Sequence, residues 1–138
     1  MTLRLSSGQR QFLLDAAAQA LPEEVCGLLV GQDGEVADLV PARNVARDPR
    51  RSFEIDPATL LATYREARGR GQRVLGHWHS HPNGRAAPSA RDAARALDNG
   101  QIWLIIAGDT LTAWRAEAGS GASAAGPARF TAVPLEIA

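Results

Sequence analysis

Lysine is absent from this 138-residue chain, and all 15 of its basic side chains are arginine. No side chain in it can therefore carry a lysine isopeptide. Net charge is absent as well, since 15 acidic residues balance the 15 basic ones. That removes the sequence-independent attraction on which nucleic-acid binders and membrane-surface proteins depend, so neither nucleic acid nor membrane is an expected partner. Cysteine is reduced to Cys26 alone, which excludes an internal disulfide and any zinc site of the finger or ribbon type. A reducing, cytoplasmic setting is expected. No apolar run approaches the ~20 residues that cross a bilayer as a helix. Residues 13–21 contain small residues like those of a cleavage site, but Asp15 interrupts them and no apolar stretch precedes them. They read as part of the mature domain.

What is present is ordinary globular matter, 45% hydrophobic and 22% charged. It suits one domain over residues 1–138 with a real core. Ser6 and Ser7 can cap a helix in which Phe12, Leu13, Ala16, Ala17 and Ala20 recur at helical spacing before Pro22. Residues 24–30 read as a short apolar strand that turns at Gln32-Asp33-Gly34-Glu35 into an antiparallel partner over 35–40. A polar connection over 41–52 leads to a brief strand at 53–55 and a helix opened by Asp56-Pro57 and stopped by Gly69 and Gly71. Strands at 74–79, 102–106 and 110–114 and a short helix over 89–97 follow. Residues 118–128 contain only Gly, Ala, Ser and Pro, a composition expected of a flexible loop before a last strand at 130–135.

All three histidines fall within five positions, in Gly76-His77-Trp78-His79-Ser80-His81-Pro82 at the end of an expected strand. Residues two apart on a strand share a face, so an adjacent pair of these histidines can converge on one ion. The residues alone equally allow a polar strand end with satisfied histidines. Asp92, in Pro88-Ser89-Ala90-Arg91-Asp92, is the candidate third ligand, while Ser89-x-x-Asp92 also has the spacing of a helix capping box. Two histidines and one carboxylate would leave a fourth tetrahedral position for water, as in catalytic zinc sites.

His79-x-His81, ten intervening residues and Asp92, with Ser80-His81-Pro82 and Pro88-Ser89 between, resembles the JAMM motif of the JAB/MPN metalloproteases. Separately, Pro22-Glu23-Glu24-Val25-Cys26-Gly27-Leu28-Leu29 is similar to that family's early glutamate strand, which points to Glu24 rather than Glu23. The likeness runs over residues 13–116 and takes in Arg43-Asn44-Val45-Ala46 and Phe53-Glu54-Ile55-Asp56-Pro57. It departs at His77, where an apolar residue is more usual, and after Ala118. The resemblance implies an α/β fold, the cytidine-deaminase-like three-layer sandwich with a mixed sheet flanked by helices. One cysteine cannot supply the zinc signature of the deaminases themselves. Barrel hydrolases that also carry His-x-His at a strand end need roughly 200 residues or more.

The resemblance further implies Zn2+ held by His79, His81 and Asp92, lowering the pKa of bound water from about 15.7 towards ~7. Glu24 would be general base and then acid, and the Ser89 hydroxyl a donor to the oxyanion. Capping and oxyanion binding are expected to compete for that one hydroxyl. Cys26 is expected to be a small buried hydrophobe, Trp103 and Trp114 core, and Trp78 to face away from the histidines. His77 is a candidate for orienting a ligand.

The implied function is a zinc metallopeptidase or isopeptidase that hydrolyses an amide at the C-terminal tail of a ubiquitin-like or sulfur-carrier protein. The tail would add a strand beside the histidine strand or beside residues 53–55. Two alternatives share the motif. One is a zinc peptidase acting on short peptides, such as cell-wall crosslinks or amino-acid adducts. The other is a non-catalytic MPN interaction module, against which the complete set Glu24, His79, His81, Ser89 and Asp92 stands.

Overall fold

The computed structural model describes residues 1–95, 100–117 and 129–138. It begins with β1 (Leu3–Leu5) and α1 (Ser7–Ala20). Ser6 starts α1 through a capping box, its hydroxyl accepting from the Gln9 N–H at 3.0 Å while its own N–H donates to Gln9 Oε1 at 2.9 Å. Two donors that the helix cannot satisfy are thereby paired. β2 (Cys26–Gln32) and β3 (Glu35–Ala42) form a hairpin. Its turn places Asp33 and Gly34 at φ 53° and 78°, the left-handed pair that a two-residue connection between twisted strands requires. α2 (Pro57–Gly69) opens on Asp56, whose carboxylate accepts from the Thr59 N–H at 3.2 Å and hydroxyl at 2.7 Å. β4 (Arg73–Ser80), α3 (Ala90–Arg95), β5 (Ile102–Ala107), β6 (Thr110–Glu117), β7 (Arg129–Val133) and β8 (Leu135–Ile137) complete the order.

The strands make one mixed eight-stranded sheet in the order β7-β6-β5-β4-β2-β3-β1-β8. β7 and β8 stand at opposite ends of that order, yet only Pro134 separates them in the chain. The sheet must therefore curl until its two ends meet. Leu13 and Ala17 of α1 pack with Leu29, Trp78, Leu104 and Ile106 in the main core. Trp78 is fully buried there, its indole N–H donating to the Leu28 carbonyl at 3.2 Å. Gly27 makes room for that ring, because a Cβ at 27 would strike the indole and the Val40 carbonyl. With Trp78 on the α1 side, alternation along β4 turns His77 and His79 to the opposite face. α2 lies along β2, β3 and β4 with Thr63 and Ala67 buried.

This is the α/β class implied by the sequence, a mixed sheet with helices, and it differs in detail. β2 begins at Cys26, not at residue 24, and residues 53–55 make, among the described residues, a single bridge, Ile55 to Asn44. The expected last strand is two strands broken at Pro134, which has no N–H to give to a ladder. The expected docking of a tail beside the histidine strand is overturned: β4 is bonded to β2 on one side and to β5 on the other. The far end of the 89–97 helix and the loop at 118–128 lie outside the described residues. Among the described residues no helix is long and apolar enough to cross a membrane.

Candidate metal centre

The register of the sheet assembles the site. Antiparallel pairing sets Cys26 opposite His79, and two residues further the same register sets Glu24 opposite His81. The extension is held by the Ser80 N–H donating to the Val25 carbonyl at 3.0 Å and the Val25 N–H donating to Ser80 Oγ at 2.8 Å. Asp92 comes from α3, across a loop pinned by the Thr112 hydroxyl donating to the Ala86 carbonyl at 2.6 Å.

His79 Nε2 and His81 Nε2 stand 3.0 Å apart, and the Asp92 carboxylate reaches them at 3.5 Å and 3.0 Å. Zinc bonds of roughly 2.0–2.1 Å in a tetrahedron put donor atoms about 3.3 Å apart. The carboxylate faces the two rings with different oxygens, Oδ1 towards His79 and Oδ2 towards His81, and each spacing lies near that separation, so two imidazole nitrogens and one carboxylate make a donor set that fits zinc. Glu24, His79 and His81 also offer ligand atoms that all lie within 4.8 Å of one another. Glu24 and Asp92 thus each approach the two histidine nitrogens, and all four side chains are buried. His81 Nδ1 lies 2.8 Å from the Arg85 carbonyl. A carbonyl can only accept, so Nδ1 carries the proton, and Nε2 of the neutral ring turns its lone pair into the site.

Burial disfavours charge on His79 and lowers its pKa, with the Asp92 carboxylate opposing only in part. For His81 burial works the same way, but its bonds to Asp92 and the Arg85 carbonyl, with Glu24 nearby, outweigh it and raise the pKa. Burial would raise Asp92, yet the two histidines and the Ser89 N–H hold its carboxyl well below the usual carboxylate range. Cys26 is pushed up to about 12 by burial and by the Glu24 carboxylate. It is the inert buried thiol that its strand context suggests.

Ser89 and Asp92 form the capping box after all. The Ser89 N–H donates to Asp92 Oδ2 at 2.8 Å, and Ser89 Oγ accepts from the Asp92 N–H at 3.0 Å. Capping and the metal centre do not exclude each other, because Asp92 has oxygens and lone pairs for both. The expected competition at Ser89 also disappears. The cap uses the hydroxyl as acceptor and leaves its proton available. His77 is buried, with its pKa lowered by burial to about 3, and its Nδ1 has no hydrogen-bond partner among the described residues. It packs against Trp103 at 4.2 Å and Phe53 at 5.1 Å and so forms part of the wall beside His79.

Two neighbours carry more than their sequence context suggests. The Phe53 ring stacks on His79 at 4.2 Å and 20°, which fixes the plane of the imidazole. Asn44 uses its whole amide: Nδ2 donates to the carbonyls of Glu24 (2.9 Å) and Ser52 (3.0 Å), while Oδ1 accepts from the N–H of Ala46 (3.0 Å) and Glu54 (3.1 Å). One side chain therefore ties the Glu24 backbone to the segment bearing Phe53. The motif Arg43-Asn44-Val45-Ala46 was the only sign of it in the sequence.

Residues 7–117 match the family described as prokaryotic homologs of the JAB domain. The chain is 34% identical over 113 residues to a desampylase of Haloferax volcanii, covering 78% of this chain and 81% of that protein. It is 37% identical over 75 residues to the "Probable TtuB-protein conjugate cleaving protease" of Thermus thermophilus, covering 54% of this chain and 50% of that protein. Among solved structures, protein DSY2949 of Desulfitobacterium hafniense superposes with a TM-score of 0.81 at 27% identity, over 99% of this chain and 93% of that one. The JAB1/MPN domain protein AF2198 of Archaeoglobus fulgidus gives 0.59 at 20% identity, over 100% and 97%; at that identity it speaks for the fold.

Proposed function

The chain belongs to the family of prokaryotic homologs of the JAB domain, and from that premise we propose that it is a zinc-dependent isopeptidase acting at the C-terminal tail of a ubiquitin-like or sulfur-carrier protein. The observation that carries the reading is that buried His79, His81 and Asp92 bring two imidazole nitrogens and a carboxylate within 3.0–3.5 Å of one another, with Glu24 alongside. The names of the relatives, a desampylase and a protease that cleaves protein conjugates, supply the substrate class.

His79, His81 and Asp92 would hold the ion, which when bound would supply Lewis-acid polarisation of the amide carbonyl and a water of pKa nearer neutrality. Glu24 accepts a proton from the attacking water and hands it to the departing amine, for which its carboxylate is placed beside the histidines. The Ser89 hydroxyl, its proton unused by the helix cap, donates to the carbonyl oxygen as charge gathers there. Phe53 and the Arg85 carbonyl hold the planes of His79 and His81, so the donors stay aligned through the reaction. With both edges of β4 closed, the tail runs beside residues 53–55. A lone buried Cys26 suits a reducing, cytoplasmic setting.

The test compares kcat/KM for release of a tail from a folded ubiquitin-fold carrier with that for a free peptide of the same tail, with Glu24→Gln as blank. The folded conjugate is expected to react faster, roughly a hundredfold, because its folded surface supplies binding energy that positions the tail. Equal values contradict the carrier and favour the short-peptide alternative.

A further inference from the structure

The cleft in front of the metal centre has a volume of about 530 Å3, and its lining includes Glu24, His81, Ser89 and three arginines, Arg50, Arg51 and Arg91. In a chain whose charges balance overall, this lining is one-sided. The backbone that builds the site also sets the arginines. The Glu24 N–H donates to the Pro49 carbonyl at 2.8 Å, which ties the backbone just before Arg50 and Arg51 to that of Glu24, and all three residues line the cleft. Arg91 immediately precedes Asp92 in the first turn of α3. Arg51 has Asp48 at 4.0 Å, but among the described residues no carboxylate lies within that distance of Arg50 or Arg91. Two guanidinium groups without a carboxylate partner among the described residues thus line the cleft where Glu24 would meet the leaving amine. Their planar fork matches a carboxylate through paired, charge-assisted hydrogen bonds.

Resting on the reading of the site as an amide hydrolase, we propose that Arg50 and Arg91 form an anion subsite that receives a carboxylate on the amine side of the cleaved bond. The amine side is assigned because Glu24, which protonates the departing amine, lines the same cleft. The carboxylate has two sources: the α-carboxylate of a terminal amino acid, or an acidic side chain next to a conjugated lysine. Either gives the leaving residue an anchor while the acyl side lies at the metal.

The test uses the metal-loaded full chain carrying Glu24→Gln, so that binding is read without turnover. Four synthetic peptides share an acetyl-Gly-Gly acyl part. In one pair it is joined to the α-amine of alanine ending in carboxylate or carboxamide. In the other it is joined to a lysine ε-amine flanked by Asp or Asn, with blocked ends. Dissociation constants are measured by calorimetry, then again with Arg50→Gln and Arg91→Gln added; both side chains are exposed, and melting temperature checks that the fold is kept. The carboxylate member of one pair is expected to bind about tenfold tighter, and the pair that shows this identifies the source. The gap should close in the double arginine variant. Equal affinities within both pairs, or no binding of any peptide, overturn the subsite. A gap that survives the double substitution overturns it too, because the carboxylate would then be held by the metal. Hydrolysis by the unsubstituted chain without a carboxylate preference sinks the subsite alone. Preference without hydrolysis of either peptides or carrier conjugate leaves the subsite standing and sinks the hydrolase reading.

Discussion

Glu24 and Glu23 are neighbours in sequence with opposite fates, one buried beside the histidines and the other exposed. Glu24→Gln should keep the fold and the metal yet lose about 10²–10⁴ in kcat, since an amide fills the same space but cannot take up a proton. Glu23→Gln should remain near normal. The reverse result would mean that the register of the early strand is wrong by one, which sends every side chain to the other face. At Ser89 the proton that the cap does not use separates two variants. Ser89→Ala should lower kcat by about 10²–10³, while Ser89→Thr, which keeps both lone pair and proton, should recover most of it. Equal kinetics in all three proteins would reduce Ser89 to a helix cap. Cys26 gives a control away from the chemistry: with its thiol pushed up to about 12, almost no thiolate exists at pH 8. Alkylation should therefore proceed only on unfolding, and rapid labelling of native protein would contradict its burial. Glu24 and Ser89 were legible because each lies in a short run that resembles a family motif, and Cys26 because the run around it is apolar.

The elements were legible where period or punctuation marked them and not where pairing alone defines them. α1 shows its cap and apolar spacing, and the β2–β3 turn shows Asp33-Gly34. β1 and β8 are three residues each, too short for any period, and exist because they pair with each other at the edge of the sheet. Phe53 and Asn44 escaped for the same reason, since a ring stack and a four-bond amide appear only once residues 43–55 have folded back over β4. Asn44→Ala removes the bonds that tie this segment to Glu24 and should cost about 2 kcal/mol in urea unfolding. Its effect should divide unevenly, with zinc content unchanged because the ligands sit on β4 and α3, and turnover reduced because Glu24 loses its tether. Lost stability with normal turnover would make Asn44 a loop staple and nothing more.

At the scale of the molecule, the curled sheet places the end of β4 between two strands that fix its direction, beneath a loop that returns Asp92 to it. The ligands could be read from sequence because they lie on two nearby segments, with only ten residues between His81 and Asp92. Glu24 is 55 residues before His79 and is brought there by sheet order, which no local signal encodes. The arginines of the cleft were illegible in another way, because among 15 in the chain nothing but the fold distinguishes Arg50 and Arg91. The central claim is that His79, His81 and Asp92 hold the ion while Glu24 works beside it. It is tested most directly by elemental analysis of purified wild-type, Asp92→Ala and Glu24→Gln proteins. Wild type and Glu24→Gln should each carry one zinc per chain and Asp92→Ala almost none, because a three-ligand site cannot spare a ligand. Zinc retained in Asp92→Ala and lost in Glu24→Gln would contradict this and make Glu24 the third ligand.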